Sequence, residues 1–256
     1  MRSWLAILVL LTGAVVAPPG ASAASEPTLP PTGTDVDYQL GGSGPLPAHV
    51  GIVVRDRGAR PSSRAYSVCY VNGFQTQPEE RSFWRRHLDL VLRHGGRPVV
   101  DEAWGEWLLD IRTADKRRRL ARIVGRWVAG CAEDGYQAVE YDNLDSYTRS
   151  KGLLTGRQAS RYASLLVGRA HAAGLAAAQK NRAGWDGTAV GYDFAIAEEC
   201  GRWRECASYV SDYGRQVLVV EYRRKDFRRT CRHHGARLPV VLRDRALTPH
   251  GVHAWC

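Results

Sequence analysis

Ala138-Val139-Glu140-Tyr141-Asp142-Asn143-Leu144-Asp145 starts on a short apolar run, passes through alternating polar and apolar residues, and closes on a cluster of acids. That length and alternation describe a strand whose C-terminal end carries carboxylates. Phe194-Ala195-Ile196-Ala197-Glu198-Glu199-Cys200 repeats the arrangement. Strands that each deliver a carboxylate at the C-terminal end fit a barrel of parallel strands, where those ends face one rim.

Outward from these two segments, short β-rich stretches alternate with longer helical ones, which makes the chain α/β. Eight strands are expected, over 50–56, 66–73, 97–103, 138–143, 175–181, 194–199, 217–222 and 238–244, the number a closed (β/α)8 TIM barrel needs. Thr76-Gln77-Pro78-Glu79 reads as a capping box opening a helix with Trp84, Leu88, Val91 and Leu92 on its buried stripe and Gly95 at its end. Thr155-Gly156-Arg157-Gln158 reads as another, with Tyr162, Leu165 and Leu166 inward and Gly174 after the last turn.

An open doubly wound sheet would show the same alternation. Asp56, Asp101, Asp142, Glu198, Glu221 and Asp244 all fall at or near predicted strand ends, and only a closed barrel brings such ends together. No Gly-rich phosphate loop follows the first predicted strand, as an open nucleotide-binding sheet would require. A single domain over 34–256 is therefore expected.

The chain begins Met1-Arg2, runs almost uninterruptedly apolar from Trp4 to Val16, and reaches Ala21-Ser22-Ala23. Residues 1–23 read as a secretory signal peptide cut after Ala23, being too short for a span and followed by Pro18, Pro19 and Gly20. Residues 24–33, rich in Pro, Thr and Ser, read as a flexible leader. An exported, extracellular protein with no membrane anchor after cleavage is expected. The formal charge of +10 comes almost wholly from arginine, and cleavage removes only Arg2. Arg117, Arg118, Arg119, Arg122 and Arg126 fall opposite Leu120, Ile123, Val124, Trp127 and Val128 at helical spacing, so they read as a solvated face rather than a nucleic-acid footprint.

Six cysteines allow 15 pairings if all are bridged. Proximity favours Cys200 with Cys206, Cys231 with Cys256 would tie down the C-terminus, and Cys69 and Cys131 sit in core-like contexts that fit free thiols. No Cys or His pair has metal-ligand spacing, and neither metal nor cofactor is expected.

Cleavage of a glycosidic bond takes one acid and one carboxylate facing each other. Asp142, with Asn143 and Asp145 to hold its hydrogen bonds, suits the ionised partner; Glu198, after Phe194, Ala195, Ile196 and Ala197, suits the proton donor. Asp145 reads equally as a helix N-cap, and alternation points Glu199 away from the axis if Glu198 points inward. Lys180 beside Asn181 serves either an ion pair or substrate positioning. Among the aromatics Tyr70, Trp104, Tyr141, Trp203 and Tyr222, the loop residue Trp203 best fits a sugar-stacking platform. The candidate sugar contacts are Asp56, Tyr70, Asp101, Trp104, Tyr141, Asn143, Asp145, Lys180, Trp203 and Glu221.

Seven ordered blocks carry a resemblance: Asp37-Tyr38-Gln39-Leu40-Gly41, Arg55-Asp56-Arg57, Cys69 through Gln77, Trp107-Leu108-Leu109-Asp110, Asp142-Asn143-Leu144-Asp145, Gln179-Lys180-Asn181 and Glu198-Glu199-Cys200. Together they resemble the glycoside hydrolase family 114 barrels with endo-alpha-1,4-polygalactosaminidase activity. The resemblance implies hydrolysis within an alpha-1,4-linked galactosamine polymer, with Asp142 and Glu198 as the catalytic pair. The chain departs from the usual pattern at Gly73, where Ala is common, and at Ala197, where Asn is frequent and would contact the sugar next to the scissile bond. A deacetylated polymer is a polycation, so long-range steering by a basic protein opposes encounter unless an acidic rim dominates locally or the polymer is partly N-acetylated. A non-catalytic carbohydrate-binding barrel and a glycosidase for another amino-sugar polymer are the competing expectations, and a monomer is the default.

Overall fold

Side chains on a strand alternate between its faces, and in this chain both faces are apolar, so each strand separates two cores. The computed structural model describes residues 26–256. Its main strands are β1 (Asp35–Gln39), β2 (Val50–Asp56), β3 (Tyr66–Asn72), β4 (Ala138–Asp142), β5 (Ala176–Lys180), β6 (Phe194–Glu198), β7 (Val217–Glu221), β8 (Val240–Arg243) and β9 (His253–Trp255). β1 to β8 pair in parallel in chain order, and β9 adds antiparallel to β8. Val36, Tyr38, Ile52, Val54, Phe194, Ile196 and Val220 fill the inside, while Val71, Val139, Tyr141, Ala195 and Val219 face the outer layer. This is the (β/α)8-type barrel that the strand pattern predicts.

The seam back to β1 is bridged by side chains. Arg243 on β8 and Asp37 on β1 are fully buried and lie 2.8 Å apart, Arg243 also meets the Tyr38 carbonyl, and Trp255 Nε1 donates to the Val36 carbonyl at 2.8 Å.

Two strand expectations change. β1 is a barrel strand that was not predicted, because Asp35 and Asp37 make Asp35–Gln39 look polar; the buried pair with Arg243 is what Asp37 serves. Residues 97–103 are not a barrel strand. Their apolar Val99 and Val100 belong to a small excursion between β3 and β4, in which Val100 pairs with Trp107 and Asp101 with Glu106 in an antiparallel hairpin.

The main helices are α1 (Ala114–Asp134), α2 (Gly156–Ala172), α3 (Cys206–Tyr213) and α4 (Arg224–His234). They follow β3, β4, β6 and β7; the connections after β1, β2 and β5 carry no α-helix. The Thr155–Gln158 capping box forms and opens α2, with Tyr162 and Leu166 buried, although Leu165 is outward and exposed. The expected box at Thr76 does not form. Pro78–Glu80 is a 3-10 turn before a five-residue helix, Leu88 is exposed, and Thr76 Oγ1 instead accepts from the Trp107 amide. On α1, Arg118, Arg122 and Arg126 face out as expected, but Arg117 is buried and donates to the Ile111 and Arg112 carbonyls.

Cys200–Cys206 and Cys231–Cys256 are disulfides, and so is Cys69–Cys131, which joins β3 to α1; those two cysteines are not free thiols. The expected signal peptide over 1–23 and the first two residues of the leader lie outside the described residues. From residue 26 to 33 the chain has no regular structure, and Tyr66 and Gln216 donate to its Thr28 and Pro30 carbonyls. No helix among the described residues is long and apolar enough to cross a membrane.

Candidate active site

The inward positions of β4 are Ala138, Glu140 and Asp142, and the inward end of β6 is Glu198. Between them β5 ends on Lys180, buried, whose ammonium lies 3.4 Å from Asp142 Oδ1, 3.4 Å from Glu198 Oε2 and 2.7 Å from Glu140 Oε1. Asp142 Oδ2 accepts from the Tyr70 hydroxyl at 2.7 Å and Oδ1 from the Asn143 amide at 2.7 Å. Glu198 accepts from the Tyr222 hydroxyl and, at 3.1 Å, from Asn181 Nδ2.

Burial on its own would push the Asp142 carboxyl up; Lys180, the Tyr70 hydroxyl and the Asn143 amide outweigh it and hold the carboxyl below its ordinary value. Burial likewise works against the Lys180 charge, but Asp142, Glu140 and Glu198 raise it well above the usual lysine value. Asp142 and Lys180 are therefore both ionised near neutral pH.

The strand ends are bent to aim these groups. Asn143, Asn181 and Glu199, which follow β4, β5 and β6, all have left-handed backbones, with φ of 66°, 52° and 54°. Asparagine tolerates that region better than most residues, and its side chain then turns back to bond neighbouring groups.

The cavity above this cluster is about 820 Å³, bounded on one side by the excursion between β3 and β4. The excursion delivers Asp101, Trp104 and Glu106. Asp101 Oδ2 pairs with Arg149 Nε at 2.7 Å, and Arg149 Nη2 lies 2.9 Å from Asp145 Oδ1, so Asp145 is an ion-pair partner and makes no side-chain cap. Glu106 Oε2 accepts from Asn72 and Asn143, and burial pushes its carboxyl up to about 7, the Asn72 bond partly opposing this.

The facing wall comes from the loop after β6. Trp203 ends a four-residue helix, Cys200–Trp203, held by the Cys200–Cys206 disulfide and by Gly201 N donating to Glu221 Oε1 at 2.7 Å. Trp203 and Trp104 are each 61 % exposed and both line the cavity. Glu199 also lines it, bonded to Arg202 and Arg245; alternation predicts the opposite, but its left-handed backbone ends the strand pattern.

The structure therefore gathers Tyr70, Asp101, Trp104, Asp142, Asn143, Asp145, Lys180, Glu198 and Trp203 around one cavity. Tyr141, Glu221, Asp56 and Asp244 do not line it. Tyr141 points outward and its hydroxyl donates to the Leu166 carbonyl on α2. Glu221 is outward too, because Leu218 and Val220 take the inward positions of β7; it is fully buried and supports the Trp203 loop. Asp56 caps the Gly58 amide and accepts from Gln77, and Asp244 accepts from Thr248. Ala197 packs in the outer layer and does not line the cavity.

Sequence reasoning missed Glu140, Tyr38, Glu106 and Arg149. Glu140 was reachable, since period two from Asp142 puts it inward. Glu106 was not, because its place depends on a hairpin with no strong turn signal. Cys200, Cys206 and Glu221 cluster closely, but both sulfurs are in a disulfide and offer no thiolate to a metal.

Two carboxyls are thus held around one ammonium at the C-terminal rim of a parallel barrel, and two exposed indoles line the cavity above them. Residues 17–256 match the model of glycoside-hydrolase family GH114, and the chain belongs to that family of glycoside hydrolases. Its fold is similar to that of Aspergillus fumigatus Ega3, solved in complex with galactosamine, at 19% identity and a TM-score of 0.72, covering 91% of this chain and all of that one. It is also similar to the glycoside hydrolase domain of PelA from Pseudomonas aeruginosa, at 13% identity and a TM-score of 0.59, covering 87% of this chain and 98% of that one. A search of curated proteins returns no match.

Proposed function

We propose that this chain is an exported, endo-acting hydrolase of alpha-1,4-linked galactosamine polymers, fully or partly deacetylated, working as a monomer without metal or cofactor. The observation that carries the reading is the Lys180 ammonium, 3.4 Å from Asp142 and 3.4 Å from Glu198 at the floor of an open cavity. Glu198 gives its proton to the glycosidic oxygen as that bond breaks, while Asp142, ionised, attacks the anomeric carbon and forms a glycosyl ester. Water, deprotonated by the Glu198 carboxylate, then cleaves the ester and returns the proton. The shared ammonium limits the separation of the two facing oxygens to under about 7 Å, which favours the retaining spacing of about 5–5.5 Å over the wider inverting one.

Substrate class follows from local charge. The cavity is lined by seven carboxylic side chains against four Lys and Arg, the reverse of the chain's overall +10. An acidic cleft attracts an amino sugar even where the distant surface repels it, because screening confines that repulsion to about 8 Å. The galactosamine bound to Ega3 supports the same class. Asp101, Asn143, Asp145 and Tyr70 are assigned to sugar contacts, and Trp104 and Trp203 to ring stacking. Three disulfides and the expected signal peptide support export.

Asp142→Asn and Glu198→Gln, checked for folding, should each lose nearly all activity on a galactosamine polymer. Full activity in either overturns the pair. Mass spectrometry of products from galactosamine, N-acetylgalactosamine and glucosamine polymers tests the substrate: cleavage confined to glucosamine would point to another amino-sugar hydrolase, and binding without cleavage of any to a non-catalytic barrel.

A further inference from the structure

The Lys180 ammonium does not face only the catalytic pair. On its other side Glu140 Oε1 lies 2.7 Å away, and the Tyr38 hydroxyl, 2.7 Å from both, closes a triangle on β1, β4 and β5. Glu140 is fully buried and does not line the cavity. Its second oxygen, Oε2, has no hydrogen-bond partner among the described residues. A carboxylate buried and half-satisfied is costly to keep unless its charge is used.

We propose, on the reading that Asp142 and Glu198 are the catalytic pair, that Glu140 is a positioning residue: it anchors Lys180 at equal distance from both, and its charge offsets part of the ammonium's field on them. The geometry gives Lys180 three carboxylates and one charge to share. Without Glu140, the ammonium would be free to move toward one member of the pair, and its full positive field would fall on both. A positive field favours the ionised form of a carboxyl, so the proton that the acid must hold would leave at lower pH.

The groups facing Lys180 are Tyr38 from β1, Tyr70 from β3, Glu140 and Asp142 from β4, Glu198 from β6 and Tyr222 just past β7. Burial raises all three tyrosines well above their ordinary value, so they stay neutral across the working range. Burial also pushes Glu140 up to about 7, against the pull of Lys180. Glu140 is thus neutral at acid pH and charged at alkaline pH, and its influence on the pair differs between the two limbs of a pH–rate profile.

The test is the full profile of kcat and KM for Glu140→Gln on a galactosamine oligomer. The alkaline limb should move to lower pH by about half a unit or more, because only there does the wild type carry the charge that the amide lacks. The acid limb should stay. At pH 8 kcat should fall about threefold for each half unit of that shift, with KM within about twofold. The shift should persist in a Glu106→Gln background, which removes a cavity carboxyl that titrates near this range. A loss of amplitude with both limbs in place, or no loss, overturns the proposal. If Glu140→Gln does not fold, Tyr38→Phe opens the triangle without removing charge and should lower kcat several-fold with KM unchanged; unaltered kcat overturns the anchoring role. Failure of the catalytic pair reads differently, since Asp142→Asn or Glu198→Gln would then remain active whatever Glu140 does.

Discussion

Arg243 and Asp37 form an ion pair 2.8 Å apart with both side chains fully buried, joining the last parallel strand of the barrel to the first. Removing one partner strands the other charge in the interior. Arg243→Met should therefore destabilise the protein by about 3–5 kcal/mol. Replacing both residues with apolar ones of similar volume should recover most of that loss. Urea denaturation of the single and double variants measures both, and a single variant within about 1 kcal/mol of wild type would contradict the role of the pair at the seam.

Glu106 gives a pH dependence of definite sign. Its carboxyl is raised by burial to about 7, against about 4.3 in an unfolded chain, so between those values the folded state binds the extra proton. Its contribution is most favourable below about pH 4 and is lost as pH rises to about 7. Relative to Glu106→Gln, the wild type should lose stability between pH 4.5 and pH 8. Denaturation midpoints of the two proteins at both pH values check it, and a gap that does not change with pH would contradict the buried, raised carboxyl.

The Cys69–Cys131 bridge closes a separation of 62 residues, ten times that of Cys200–Cys206. Loop-closure entropy assigns about 4 kcal/mol to a loop of that length and less to the short one. Cys69→Ala with Cys131→Ala should lower the melting temperature more than Cys200→Ala with Cys206→Ala, as calorimetry would record. The reverse order would mean that the short bridge acts through the Trp203 loop instead.

Gly201 has no room for a side chain: a Cβ there would sit 1.9 Å from Thr230 Oγ1 and 2.6 Å from Glu221 Oε1. Gly201→Ala should displace the helix that carries Trp203. Trp203→Ala should raise KM about fivefold or more with kcat little changed, from the loss of ring stacking. Gly201→Ala should match that KM effect although it retains the tryptophan, because it moves the indole. Equal KM values for wild type and Trp203→Ala would remove the indole from the binding surface.

Seven of the eight barrel strands were legible because their apolar runs are continuous, as parallel strands buried on both faces must be. β1 was hidden by Asp37, whose charge is neutralised by a partner 206 residues away. Residues 97–103 misled because Val99 packs into the outer core of the barrel although its backbone belongs to the excursion. At the site, Asp142, Glu198 and Lys180 were visible as polar residues ending apolar strands. Glu221 met the same criterion and failed it by one position of alternation, and the direction of Glu199 was lost once its backbone turned left-handed. Glu106 and Arg149 depend on loop conformation, which short-range pattern does not encode.

Trp104 and Trp203 come from different connections, one after β3 and one after β6, while the charged cluster between them stands on β4, β5 and β6. On the proposed reading, grip and chemistry stand on separate pieces of chain, joined on one side through the bonds of Glu106 to Asn143 and of Asp101 to Arg149. The loop after β6 that carries Trp203 is then the piece in which a change of length would alter which polymer is held while leaving β4 and β5 as they are.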